Sequence, residues 1–284
     1  MPEDRHSLVQ LGFGQIGILW FSVNLAANNI TLGMLGPAVF HLSFIEASLC
    51  AVFGMLVGVL PVAYVATFGP RSGNRTMVFA RYSMGWYPAK LLVILNIIVL
   101  LGYSVLGAVI AGQIISAVSD GGSLSVVVGI VVVAVITWAI TTFGYRVFHL
   151  YERYAWLPQT IVVSILAGVA GPDFDLSKNS AKGEDQLTIN GKRISFFSLC
   201  LAAAITYSGG AADLFVYYPE SAPRRKVFIV TVAGLVASFT CAFIVGIGLG
   251  SGIGRNHAWS DAYNGFFFDF FSILSRTRSF FVSF

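Results

Sequence analysis

The sequence predicts an all-α integral membrane protein, and three observations predict it. Of 284 residues, 56% are hydrophobic and only 11% are charged, whereas soluble domains carry about 25% charged residues. Mean hydropathy is +0.80. Apolar runs of roughly 20 residues recur along the chain, the length a helix needs to cross a bilayer.

Seven such runs mark candidate spans at 14–40, 47–68, 88–118, 124–143, 154–169, 196–218 and 227–249. They divide the chain into a short N-terminal tail (1–13), a transmembrane domain of about seven helices (14–250) and an atypical C-terminal tail (251–284). The third run exceeds what a ~30 Å hydrocarbon core requires, so it is expected to tilt or project. The last tail is apolar but is interrupted by Asp269, Arg276 and Arg278. It makes a poor span and a poor soluble tail, and is expected to mark a shortened chain.

Loop charges set the orientation. Arg5, Arg71, Arg75, Arg81, Lys90, Arg146, Arg153, Arg224, Arg225 and Lys226 fall in one set of alternate loops. The other set holds Lys178, Lys182, Lys192, Arg193 and Arg255, four of them in a loop shared with Asp173, Asp175, Glu184 and Asp185. The richer side is expected in the cytosol, with the N-terminus inside. The net charge of +4 is therefore a topology signal and not a nucleic-acid footprint.

Several chemistries find no support. Cys50, Cys200 and Cys241 lie in apolar runs, which suggests neither a disulfide framework nor a thiolate metal site. His6, His41, His149 and His257 lack metal-ligand spacing. No nucleophile–base pair or Walker phosphate loop stands out. Neither an enzyme nor a cofactor is expected.

Polar residues inside the spans carry the functional reading. The first span holds Ser22, Asn24, Asn28, Asn29 and Thr31. Amides at membrane depth are unfavourable without a partner, a cavity or a ligand. Adjacent Asn28 and Asn29 point to different faces of a helix, so both need partners; Asn24 reads equally as glue between helices. The sixth span centres on Tyr207, Ser208, Gly209 and Gly210, and each glycine weakens a helix by about 1 kcal/mol relative to alanine. Asp213 follows within a turn, either as a proton or cation relay or as a satisfied carboxylate near a helix end. Gln113 on the third span offers a donor and an acceptor to a planar heterocycle, or to a neighbouring helix. Tyr207 could stack on a ring or simply pack.

Spans one and six thus share mid-membrane irregularity, run in opposite directions and stand five spans apart. That is the pattern of a five-plus-five inverted-repeat transporter, represented by the first repeat and the start of the second.

Four blocks in order carry a family resemblance: N-N-I-T-L-G-M-L-G-P (28–37), F-G-P-R-S-G-N-R-T-M-V-F-A-R-Y-S-M-G-W-Y-P (68–88), V-I-A-G-Q-I-I-S-A-V-S (109–119) and A-A-D-L-F-V-Y-Y-P-E (211–220). The chain resembles the purine-cytosine permeases, in the fungal branch of the nucleobase-cation symporter family, over roughly 12–261. Gly69, Gly73, Arg81 and Gly85 make the second block the most specific. The resemblance implies a twelve-span plasma-membrane symporter for cytosine, adenine, guanine or hypoxanthine, coupled to protons. It implies a base held between segments one, three, six and eight, by a segment-three amide that Gln113 matches and by aromatic stacking. Val109 stands one turn before Gln113, where the family has an aromatic residue, which leaves Tyr207 as the aromatic candidate on segment six. The chain is expected to stop after about seven of the twelve spans.

The residue set expected at the substrate is therefore Asn28, Asn29, Gln113, Tyr207, Ser208, Gly209 and Gly210, with Asp213 for ion coupling. The rivals are a truncated inactive paralogue, a seven-span receptor and an intramembrane enzyme. The receptor conflicts with the Lys/Arg distribution, and the enzyme would need clustered ionisable residues that the spans lack.

Overall fold

In the computed structural model of the chain, residues 12–119, 124–143, 156–177 and 185–255 are described, together with 154, 257, 259–261 and 263. The expectations for the N-terminal tail through residue 11, for Arg146, His149 and Arg153, for 178–184 and for the tail from 264 onward lie outside these residues. All described secondary structure is helical.

The first run is two helices, α1 (Phe13–Asn24) and α2 (Ala27–Ala38), bent by 56° at the break between them. Leu25 and Ala26 leave helical geometry there, Ala26 being extended at φ −113° and ψ 154°. A break strands main-chain carbonyls. The Asn29 Nδ2 meets one of them, donating to Asn24 O at 2.7 Å, while Asn24 Nδ2 donates back to Trp20 O within α1 at 3.0 Å. Asn24 and Asn29 are both buried.

Helix α3 (Phe44–Ala66) starts at Ser43, whose hydroxyl accepts from the Glu46 N–H at 3.3 Å. This is one half of a capping box, with the acid at the positive end of the helix. Its buried face runs Ala47, Ala51, Gly54, Met55, Gly58, Val59, Val62, Ala66 at helical spacing. The short α4 (Phe68–Ser72) ends at Gly73, which takes the left-handed φ of 60°. Then come α5 (Thr76–Met84), α6 (Trp86–Val118), α7 (Val126–Phe143) and α8 (Trp156–Ala170). Helix α9 (Gln186–Ile205) gives way to 3₁₀ turns at Thr206–Gly210 and Asp213–Phe215, before α10 (Arg224–Gly252).

Three helical stretches are long and apolar enough to cross a membrane by length and composition, Phe44–Ser72, Trp86–Val118 and Arg224–Gly252. The bent α1–α2 pair passes the same test as one span. The protein is therefore a multi-pass membrane protein. Helix α7 is shorter, α8 has 15 residues, and α9 begins ten residues before the apolar run at 196.

The core lies where α1/α2, α3, α9 and α10 pack together, around Met55, Phe196, Phe215, Leu235, Phe239 and Phe243, all essentially inaccessible. Small residues set the approach. A Cβ on Gly54 would lie 2.5 Å from Phe197 O, and one on Gly58 would lie 2.6 Å from Leu201 O. The α3 glycines therefore seat α9 backbone directly, as small residues four apart do in membrane helix pairs. Helices α6 and α7 pair on one another through Gly112 and Gly129, and α6 also contacts α2 and α5. Much of the outer surface of α6 is exposed and apolar.

Candidate functional site

The breaks in segments one and six meet at Tyr207. Its ring stands edge-on to Trp20 of α1, with centroids 6.4 Å apart, and edge-on to Phe239 of α10 at 5.9 Å. Its hydroxyl interacts with the Asn29 side chain and lies in the electrostatic range of Tyr103 on α6. Asn29 thus joins the two breaks, because its amide also bonds Asn24 O.

Asn28 faces α6. Its Nδ2 is 3.7 Å from the point where a Cβ on Gly107 would sit. Tyr103 and Gly107 are four residues apart on one helix face, and Asn96 lies seven before Tyr103 on that same face. Gln113 stands about a third of a turn round from Gly107, on a helix whose Gly112 is seated against α7. Both polar atoms of the Gln113 amide are buried and have no partner, a condition no other side chain shares among the described residues. A buried unpaired amide group costs about 1–3 kcal/mol. Trp20 Nε1 and Asn24 Oδ1 are also buried without partners.

Ser208 and Gly209 line a cavity of about 390 Å³, together with Thr76, Asn96 and Thr206 among others. Gly209 packs so closely on the Asn96 side chain that a Cβ there would overlap Asn96 Oδ1. Gly210 is exposed and has nothing near its Cβ position.

Asp213 lies past the break, against the loop that follows α3. Its Oδ1 accepts the Thr76 N–H at 2.7 Å and the Thr76 hydroxyl at 3.0 Å, and that hydroxyl accepts the Ala212 N–H at 3.0 Å. The carboxylate therefore caps α5 from another part of the chain. Gly69 completes the contact: a Cβ there would lie 2.5 Å from Ala212 O.

Asn28, Asn29 and Tyr207 thus gather beside Gly107 and Tyr103; Ser208 and Gly209 open onto the adjoining cavity, and Asp213 bonds Thr76 of its lining; Gln113 lies further along α6. Trp20, Asn96 and Tyr103 escaped the sequence reading. A lone amide in the apolar run 91–101 is the same signal as Asn28, and it would have found Asn96. Among the described residues no cluster of His, Cys, Asp and Glu could hold a metal ion.

Two broken helical segments, with amides and an aromatic ring gathered between them, give this multi-pass membrane protein a polar interior. Residues 13–279 match the family described as permease for cytosine/purines, uracil, thiamine, allantoin, and the chain belongs to that family of transporters. It is 33% identical to the purine-cytosine permease fcyB of Emericella nidulans over 232 residues, which is 82% of this chain and 45% of that protein. Against Saccharomyces cerevisiae, it is 31% identical to the vitamin B6 transporter TPN1 (89% of this chain, 44% of that protein) and 30% identical to the purine-cytosine permease FCY21 (87% and 46%). The chain therefore spans about half the length of the curated relatives it matches. No solved structure matches it.

Proposed function

We propose that the whole protein moves a nucleobase across the plasma membrane, by proton-coupled symport, and that this chain supplies one wall of the site. The observation that carries the reading is the Gln113 amide, buried with both polar atoms unpaired. A planar base edge offers a donor and an acceptor side by side, which such an amide satisfies in pairs. Asn28 and Asn29 add amides from the broken first segment, and Tyr207 presents an aromatic face. Ser208, Gly209 and Gly210 free backbone groups at the second break. Cytosine, adenine, guanine and hypoxanthine all have the required edge. Alternating access would come from rocking the α1/α2–α9 bundle, in a five-plus-five inverted-repeat frame.

Asp213 is the proposed coupling group. Protonation would neutralise the carboxylate that accepts the Thr76 N–H and hydroxyl, and hydrogen bonds to a neutral acceptor are weaker, so a proton there would weaken the hold on α5 beneath the cavity. The Lys/Arg distribution supports a cytosolic N-terminus.

Uptake of radiolabelled cytosine in permease-null yeast expressing the whole protein tests this, with the unmutated form beside Gln113→Ala and Asn29→Ala. Uptake should fall at least tenfold in both, the loss of one well-formed hydrogen bond or more. Full uptake in both variants would remove the site assignment. The similarity to a vitamin B6 transporter gives a second substrate reading, and competition by pyridoxine separates the two.

A further inference from the structure

Asn96 is an amide inside the 33-residue α6, outside the substrate set above. It stands ten residues after Trp86 on a helix long and apolar enough to span a membrane. Neither its amide nor the Ser208 hydroxyl makes a hydrogen bond among the described residues. An amide at membrane depth is unfavourable without a partner or a ligand. Both groups open into the cavity of about 390 Å³ between α5, α6 and the second break. Met77, Phe79, Leu92 and Leu95 supply its apolar walls. Gly209 leaves the room that the amide takes, since a Cβ there would overlap Asn96 Oδ1. Ligand pockets share this size and make-up, mostly apolar walls with a few polar groups that fix orientation.

The cavity is remote from the Gln113 amide. Seventeen residues of one helix separate Asn96 from Gln113, a rise of about 25 Å. A nucleobase is far shorter than that, so one molecule cannot touch both. Tyr103 lies between them on the same helix. We propose that the cavity is a second station for the transported base, and that Asn96 takes the polar edge of the base there. The proposal rests on the nucleobase reading above and adds a site to it. The Asn96 amide offers a donor and an acceptor together, and the Ser208 hydroxyl offers either, which suits the mixed edge of cytosine or a purine. The apolar walls suit the faces of a planar ring. The station lies on the side of α5, which starts at Arg75 and carries Arg81 in its last turn, so it belongs to the side of the Lys/Arg-rich loops. Thr76, on the same wall, is held by Asp213. The proposed coupling group therefore fastens the floor of this station.

Equilibrium binding of radiolabelled cytosine to the purified whole protein tests the proposal. The parent should saturate at two molecules per chain. Asn96→Leu keeps the size of the side chain and removes its polar edge; it should saturate at one, with the affinity of the remaining site unchanged. Val99→Phe fills the cavity and leaves Asn96 in place, and it should also saturate at one. Gln113→Ala should keep the Asn96 station, and Asn96→Leu/Gln113→Ala should bind none. All variants should elute as the parent does on size exclusion. Saturation at one in the parent, kept in Asn96→Leu and lost in Gln113→Ala, would overturn the second station and leave the nucleobase reading standing. Saturation at two in both the parent and Asn96→Leu would overturn the role of Asn96. Absence of binding to the parent would remove the nucleobase reading, and the second station with it.

Discussion

Asp213 and Thr76, 137 positions apart, share two hydrogen bonds, from the Thr76 N–H at 2.7 Å and the Thr76 hydroxyl at 3.0 Å to one carboxylate oxygen. The bonds fasten the irregular sixth segment to the first turn of α5. Hydrogen bonds to a charged group contribute about 1.5–3 kcal/mol. Asp213→Ala should therefore lower the thermal unfolding midpoint in detergent clearly, and Asp213→Asn should lower it less, because an acceptor oxygen remains. Thr76→Val removes two bonds, the one its hydroxyl donates to Asp213 and the one it accepts from the buried Ala212 N–H, and should also lower the midpoint clearly. A double-mutant cycle on the pair should show coupling. Strictly additive effects would mean that the two side chains do not act together.

The Asn29 amide performs a related task at the first break. It donates to the Asn24 carbonyl that the bend strands, and its burial leaves no water to take over. Asn29→Ala should cost about 1–3 kcal/mol in stability, measured as loss of monodisperse protein after graded heating. Asn28→Ala should cost much less, since Asn28 is only half-buried and makes no comparable bond to the break. Equal losses would show that Asn29 is not the residue holding the bend.

These two contacts mark what the sequence could and could not disclose. Composition and run length were enough for the membrane class. The third run was legible almost to its ends, because α6 is predominantly apolar and carries no charged residue from Leu91 onward. The irregularity of the first and sixth segments was legible from Asn28, Asn29, Gly209 and Gly210. Its position was not: the first break falls at Leu25 and Ala26, where the Asn29 amide reaches back to a free carbonyl, and hydrophobicity carries no trace of which carbonyl is met. The start of α9 was hidden for a similar reason. Lys192 and Arg193 look like loop residues, yet Arg193 is helical and pairs with Glu46 of α3. Asp213 stood out as the acid in the sixth segment, but its partner Thr76, the first residue of α5, lies 137 positions away.

Gly54 and Gly58 look ordinary in an apolar run, and the fold gives them a specific duty. Each seats a carbonyl of α9 where a methyl group would stand, at 2.5 and 2.6 Å from Phe197 O and Leu201 O. Backbone cannot swing aside as a side chain can, so the helices must separate. Gly54→Ala or Gly58→Ala should each cost about 1–3 kcal/mol, as overpacking does, and the double change should abolish a stable fold. Gly14→Ala, with nothing within 4 Å of its Cβ position, is the matched control and should be neutral in the same detergent-melting assay. A Gly58→Ala chain that melts like its parent would show that α3 and α9 do not approach this closely.

Gly209 differs because its obstacle is a side-chain tip. A Cβ there would overlap Asn96 Oδ1 and come within 3.3 Å of Met77 Cε. Both groups end flexible chains, so Gly209→Ala should push Asn96 away at modest cost, about 1 kcal/mol. Asn96 lines the 390 Å³ cavity, so its displacement reshapes that space as well as the helix contact. The relief should be specific. Asn96→Ala in the Gly209→Ala background should recover most of the lost stability, whereas Asn96→Ala in the parent should recover nothing. Gly210→Ala, one residue on and facing open space, should need no rescue. If Asn96→Ala fails to rescue Gly209→Ala, the contact between α6 and the second break is not the constraint at this position. Successful rescue would establish that the lone amide in the apolar run of α6 reads the shape of the sixth segment where its helix ends.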